Sequence, residues 1–114
     1  MIKTETVTEM ALSYEGVVEL PHFEKTSFRV NKKIFATLDK KNNTAVLKFS
    51  KLEQSVFSAY DKLAIYPVPG KWGLQGFTMV DLKRVKKNVF KDALKVSYCN
   101  VAPKKLSEKY QSAK

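Results

Sequence analysis

A single cysteine, Cys99, stands in the 114-residue chain. That excludes an internal disulfide and a cysteine-based metal cluster, and it suits a reducing compartment. Neither a helix N-terminus nor a cluster of bases flanks Cys99 to lower its pKa, so it reads as a packed or half-buried thiol. His22 is the only histidine. A catalytic triad needs a base, an orienting acid and a nucleophile. His22 follows Pro21 in a connecting stretch with Glu19 and Glu24 nearby, and reads as a surface residue. Acids are scarce, 11 against 21 bases, and scattered, so no metal-ligand spacing emerges. The phosphate loop, the zinc-protease motif and the nucleophile elbow are all missing. Gly70, Gly73 and Gly76 recur every three residues but lack the strand-turn-helix setting of a dinucleotide fingerprint, and read as a flexible loop. A binding protein without catalytic residues, cofactor or metal is therefore expected, not an enzyme. No apolar run approaches the roughly 18 residues of a membrane span. Residues Met1 to Thr6 are too polar for the apolar core of a secretory signal. The expected location is the cytoplasm, with no membrane partner.

What the chain does have is a core and an excess of positive charge. Its 44% hydrophobic and 28% charged fractions are ordinary for a soluble globule, and its length suits one domain spanning 1–114. The net charge is +10, which favours an anionic partner such as nucleic acid, an acidic protein or a membrane surface. Of the 21 bases only Arg29 and Arg84 are arginine; the others are lysine. Lysine neutralises phosphate as a point charge, whereas arginine reads guanine bidentately. The balance points to backbone contacts rather than base reading.

Hydrophobic periodicity predicts the order α-β-β-β-α-β-β-α. Val7, Met10, Ala11 and Tyr14 make one helical stripe over 4–15, with Thr4 as the cap and Gly16 as the stop; Pro21 then ends local regular structure. Residues 26–49 alternate as three antiparallel strands, broken by Asn31-Lys32 and by the polar tip Lys40 to Asn43. Ile34, Ala36 and Leu38 are expected on one face, as are Ala45, Leu47 and Phe49. Ser50 and Glu53 can form a capping box for a helix over 51–62, with a stripe of Leu52, Val56, Phe57 and Tyr60. A short strand over 63–66 precedes a loop whose Pro69-Gly70 suits a type II turn, and 76–82 returns as a strand. A long helix over 83–101 carries Val85, Val89, Ala93 and Val96 on one side with Phe90, Leu94 and Val101 beside them, and Pro103 ends it. The polar tail, 104–114, offers only Leu106 and Tyr110 as anchors. This is an α+β fold, an antiparallel sheet packed against helices.

The candidate binding residues fall in three groups. Arg29, Lys32, Lys33, Lys40, Lys41 and Lys48 gather on the three strands and their turns, where a twisted sheet can lie against a nucleic-acid backbone. Arg84, Lys87, Lys91 and Lys95 make one stripe on the last helix, which also fits an ordinary solvated face. Lys71 and Trp72 sit in the glycine-rich loop, where the indole can stack on an unpaired base or a ligand, or fold back over the core.

The run Pro21 to Val30 with Lys33 to Leu38 resembles the opening of the MmcQ/YjbR family. Ala45 to Phe49 is similar to a family strand, as are the Tyr66 to Gly73 loop with Val80 to Leu82, and Ser97-Tyr98 ahead of Val101 to Lys105. Together these cover nearly the whole chain in order. Phe77 stands where the family often has tryptophan, which puts pocket contacts there in doubt. The resemblance implies a CyaY-like, double-wing α/β sandwich and DNA binding. It also touches frataxin-like iron sites, but the first helix lacks an acidic ridge and the charge has the opposite sign. DNA is the expected partner, with a protein or small ligand at the Trp72 loop as the alternative, and the protein is expected as a monomer or weak dimer.

Overall fold

The computed structural model describes residues 1–111; positions 112–114, the end of the polar tail, lie outside the described residues. Its elements are α1 (Thr4–Leu12), β1 (Val17–His22), β2 (Lys25–Val30), β3 (Lys33–Asp39), β4 (Thr44–Lys48), α2 (Lys51–Ser58), β5 (Ile65–Pro67), α3 (Lys71–Leu74), β6 (Phe77–Asp81), α4 (Lys87–Val101) and α5 (Lys104–Ser107). The six strands form one sheet in the order β1-β2-β3-β4-β6-β5, with every pair antiparallel. The α+β class is as expected, with one strand and two short helices beyond the predicted order.

The extra strand, β1, occupies an edge. Pro21 does not end it, because an edge strand tolerates a residue that cannot donate to a ladder. Phe23, at the tip of the β1–β2 hairpin, takes φ +58°. At the next hairpin Asn31 and Lys32 both have positive φ, 52° and 70°, as a two-residue type I′ turn requires. At the third, Asp39 Oδ1 accepts from the backbone N–H groups of Lys41 and Asn42, both at 3.1 Å.

A bulge in β3 changes which side chains face the core. Phe28 pairs with Ala36, but Arg29 pairs with Ile34, leaving Phe35 as the extra residue. Phe35 and Ala36 are both buried, while Ile34 moves to the other face beside Arg29. The expected grouping of Ile34 with Ala36 and Leu38 therefore fails. Ser97 of α4 satisfies the disturbed backbone: its hydroxyl donates to Phe35 O (2.5 Å) and accepts from Lys48 N (2.8 Å).

The core lies between the sheet and helices α1 and α4. Phe28, Val30, Leu38, Leu47, Val80, Phe90, Leu94 and Tyr98 are fully or almost fully buried in it. The buried face of α4 centres on the expected Phe90, Ala93 and Leu94, extended by Ser97 and Tyr98, while Val89 and Val96 are only partly buried. The helix begins at Lys87 instead of 83 because Asp81 turns the chain first, accepting from Lys83 N through its side chain and from Arg84 N and Val85 N through its carbonyl. α1 ends at Leu12, short of the predicted 15, and Lys3 rather than Thr4 holds its cap position. In α2 the capping box of Ser50 and Glu53 is present, yet only Phe57 of the predicted stripe is buried; Leu52, Val56 and Tyr60 are exposed. The helix docks through its polar side instead, with Gln54 Nε2 donating to Gly73 O, Phe77 O and Thr78 Oγ1.

Three tyrosines tie α4 and the tail to the α1–β1 turn. Tyr98 Oη donates to Glu15 O (2.6 Å) and Tyr110 Oη accepts from Glu15 N (3.0 Å), while Tyr14 stacks on Tyr98 with centroids 4.7 Å apart. Burial pushes the phenols of Tyr14 and Tyr98 up to about 12. Both protons are held more tightly in the folded chain than in the unfolded one, where the value is 10.0. Their contribution is therefore complete below about pH 10 and is lost as pH rises towards about 12. Ultraviolet titration should show these two phenols ionising late and together with alkaline unfolding; early, independent ionisation of all five tyrosines would contradict the packing described.

Candidate nucleic-acid interface

The face of the sheet opposite α4 is partly open. Because paired residues in antiparallel strands point the same way, Lys25, Ser27 and Arg29 of β2 share it with His22 of β1, Thr37 and Ile34 of β3, Val46 and Lys48 of β4, and Phe77 and Met79 of β6. A depression of about 620 Å³ lies across it. Its floor is apolar, built from Ile34, Val46 and Phe77 with Thr37. Lys25, Arg29, Lys32 and Lys33 line it from the β2–β3 side, and Trp72 and Val68 from the other. None of its lining residues is a carboxylate, and the nearby Asp39 acts only on Lys25 among the four bases.

Arg29 is held in place. Its Nε donates to Ser27 Oγ at 3.0 Å, and that hydroxyl donates to Leu20 O at 2.9 Å. Ser27 itself is fully buried, so the anchor is rigid. Only Nε is used in this bond, and Arg29 lines the depression. Trp72 sits on α3, 61% exposed. It does not fold back over the core: its ring meets Phe77 edge-on, with centroids 5.4 Å apart. Two glycines fix that corner. A Cβ at Gly73 would lie 2.0 Å from Val68 O, and one at Gly76 would lie 1.8 Å from Phe49 O. These glycines permit close backbone approach, and α3 replaces the flexible loop expected from them.

The other sequence candidates are dispersed. Lys48 is already engaged, with Nζ donating to Gln75 O (2.6 Å) and lying 5.3 Å from the centre of the Phe77 ring. Lys71 is exposed at the start of α3. Lys40 and Lys41 are exposed on the β3–β4 turn, at the opposite end of the strands from Lys32 and Lys33. Arg84 precedes α4 instead of lying on it, and its Nε pairs with Asp61 at 2.9 Å. Lys87 and Lys91 are exposed on α4, which packs against β3 and β4 from the other side of the sheet. The predicted basic groups therefore do not form one surface. Lys25, His22 and Ile34 were not among the candidates. Alternation with Arg29 could have placed Lys25, but Ile34 depends on the bulge.

Elsewhere the titratable groups are structural. Asp39 is held below the ordinary carboxylate value chiefly by a hydrogen bond from the Asn42 side chain, with Lys25 adding a smaller attraction. Burial pushes the Cys99 thiol up. Among the described residues no three of His, Cys, Asp or Glu converge on a point that could hold a metal ion. Nor is any of the described helices long and apolar enough to cross a membrane.

The arrangement belongs to a known class of α+β sandwich. The chain matches no family model and no curated protein. Among solved structures it is similar to the crystal structure of protein DR2400 from Deinococcus radiodurans, a DUF419-domain protein, with a TM-score of 0.80 and 16% identity over 96% of this chain and 88% of that one. DUF419 is the MmcQ/YjbR family, so the fold implied by the sequence resemblance is the fold observed. At this identity the likeness is one of fold.

Proposed function

We propose that this protein is a DNA-binding module, without catalytic activity of its own, that holds the phosphate backbone against the open face of its sheet. The observation that carries the reading is the concentration of Lys25, Arg29, Lys32 and Lys33 around one depression that no carboxylate lines. Each can neutralise a phosphate, and the anchored guanidinium of Arg29 presents a planar fork suited to phosphate oxygens. The resemblance to the MmcQ/YjbR family supports the same reading by analogy of fold, which is the weaker warrant.

Fluorescence anisotropy with a mixed-sequence duplex provides the test. If four side chains each neutralise one phosphate, log affinity should fall against log salt with a slope of about −3.6. Replacing Arg29, Lys32 and Lys33 together by alanine should flatten that slope by roughly 2.7, since each contact contributes about 0.9. Replacing Lys87 and Lys91 should change it little, because they lie across the sheet. Absence of binding at about 50 mM salt, where such contacts are strong, would refute the proposal. The apolar floor favours a second reading, a small-ligand or protein site centred on Trp72; there, alanine at Trp72 would abolish binding and the lysine replacements would not.

A further inference from the structure

The open face carries more than charge, and the excess is what a duplex backbone would leave unused. Ile34, Val46 and Phe77 form an apolar floor between the bases. Trp72 stands over Phe77 with most of its surface in solvent. At the diagonally opposite corner Phe23 is 94% exposed at φ +58°. A bulky side chain in that backbone region is uncommon, and such strain clusters at functional sites. The Phe23 ring also meets His22, whose side chain lines the depression. Strand geometry puts the two aromatic corners on the order of 20 Å apart, with Thr37 and Val46 on the line between them and Arg29 at a third corner, level with Phe77. A stacked strand advances about 3.4 Å per nucleotide, so several nucleotides span the gap.

We infer that the open sheet face binds single-stranded DNA, with unpaired bases stacked on Trp72 and Phe23 and lying on the apolar floor, and with phosphates on Arg29 and the neighbouring lysines. The inference rests on the nucleic-acid reading above and narrows it to one substrate class. In a duplex the bases are stacked on one another and cannot reach an indole on a sheet face. A single strand offers both a π-face to the aromatics and phosphates to the bases. Sheet faces that bind single strands elsewhere use the same combination of exposed aromatics and basic rims. The sparse arginine content fits as well, because stacking tolerates any base and needs no bidentate reader.

Trp72 is the only tryptophan, so its fluorescence reports directly on occupancy of the site. The full chain is titrated with an oligothymidylate of about 12 nucleotides, with the same length of mixed duplex, and with thymidine monophosphate, at one salt concentration. The expected result is quenching by the single strand, with affinity at least about tenfold above that for the duplex and far above that for the mononucleotide. Alanine at Trp72 should weaken single-strand binding, measured by anisotropy, about tenfold or more, and phenylalanine should restore part of it. Phe23→Ala provides an independent variant at a side chain with almost no packing to lose, and should also weaken the single strand while sparing the duplex. Equal affinity for single strand and duplex with unquenched tryptophan overturns the inference and leaves backbone binding standing. Quenching by the mononucleotide as tight as by the oligomer also overturns it. Binding of neither strand form refutes both readings.

Discussion

Replacing Gly76 with alanine should cost about 4 kcal/mol or more, among the largest effects of any single substitution here. The added Cβ would lie 1.8 Å from Phe49 O and 3.0 Å from Phe49 C. Those are backbone atoms, so no rotamer change relieves the contact. The residue also has φ +102°, outside the regions that L side chains ordinarily occupy. Accommodating the methyl group means moving β6 away from the chain after β4. That would break the hydrogen bond from Phe49 N to Gly76 O (2.9 Å) and disturb the one from Thr78 Oγ1 to the same carbonyl (3.0 Å). For a domain of this size the thermal midpoint should fall by roughly 20 °C. Circular dichroism melting gives the answer directly, and a loss below about 1 kcal/mol, within the ordinary range for point mutants, would contradict the close approach of Gly76 to Phe49 O.

Ser97→Ala should also be strongly damaging. The alanine fits the space, so no clash or large cavity arises, and the effect isolates hydrogen bonding. Two backbone groups lose their partner at once, the carbonyl of Phe35 and the N–H of Lys48. Phe35 lies at the bulge, where the ladder offers that carbonyl no ready substitute. An unsatisfied buried group costs about 1–3 kcal/mol, which puts the sum near 3 kcal/mol. Ser13→Ala is the fitting control: its hydroxyl also bonds a carbonyl, Met10 O, but in an exposed setting, where water replaces it. Chemical denaturation of the two variants should separate them by at least about 2 kcal/mol. Similar midpoints would mean that water reaches the bulge.

Much of this architecture was legible in the sequence where the signal is local. The alternation of Ala45, Leu47 and Phe49 against Val46 and Lys48 gave β4 its two faces. Asn31-Lys32 marked a tight turn, and Ser50 with Glu53 marked a helix start. What escaped depends on distant partners. β1 becomes a strand only because β2 pairs with it, and Pro21 reads as a breaker until the strand is known to be an edge. The exposed stripe of α2 follows the helical period but faces water, because Gln54 anchors the opposite side to β6 and the α3 turn. Charge was the strongest functional signal and the least resolved one. Composition reports how many lysines there are, but the crossing of α4 behind the sheet decides which can act together. That crossing separates Lys87 and Lys91 from Lys32 and Lys33.

A regular strand assigns its side chains by parity, odd positions to one side and even to the other, so that any change of register exchanges the two sets. The extra residue at Phe35 breaks that bookkeeping once, in the middle of β3. Ahead of it Ile34 serves the open face; beyond it Ala36 and Leu38 serve the interior, although all three have the same parity. The interior and the open face can consequently vary with some independence along a single strand. Deleting Phe35 would restore simple alternation with Ile34 still on the open face beside the inward-facing Ala36, so the depression would keep its floor while the interior lost a buried ring. The bulge thus adds an aromatic ring to the interior and leaves the open face as a regular strand would have it.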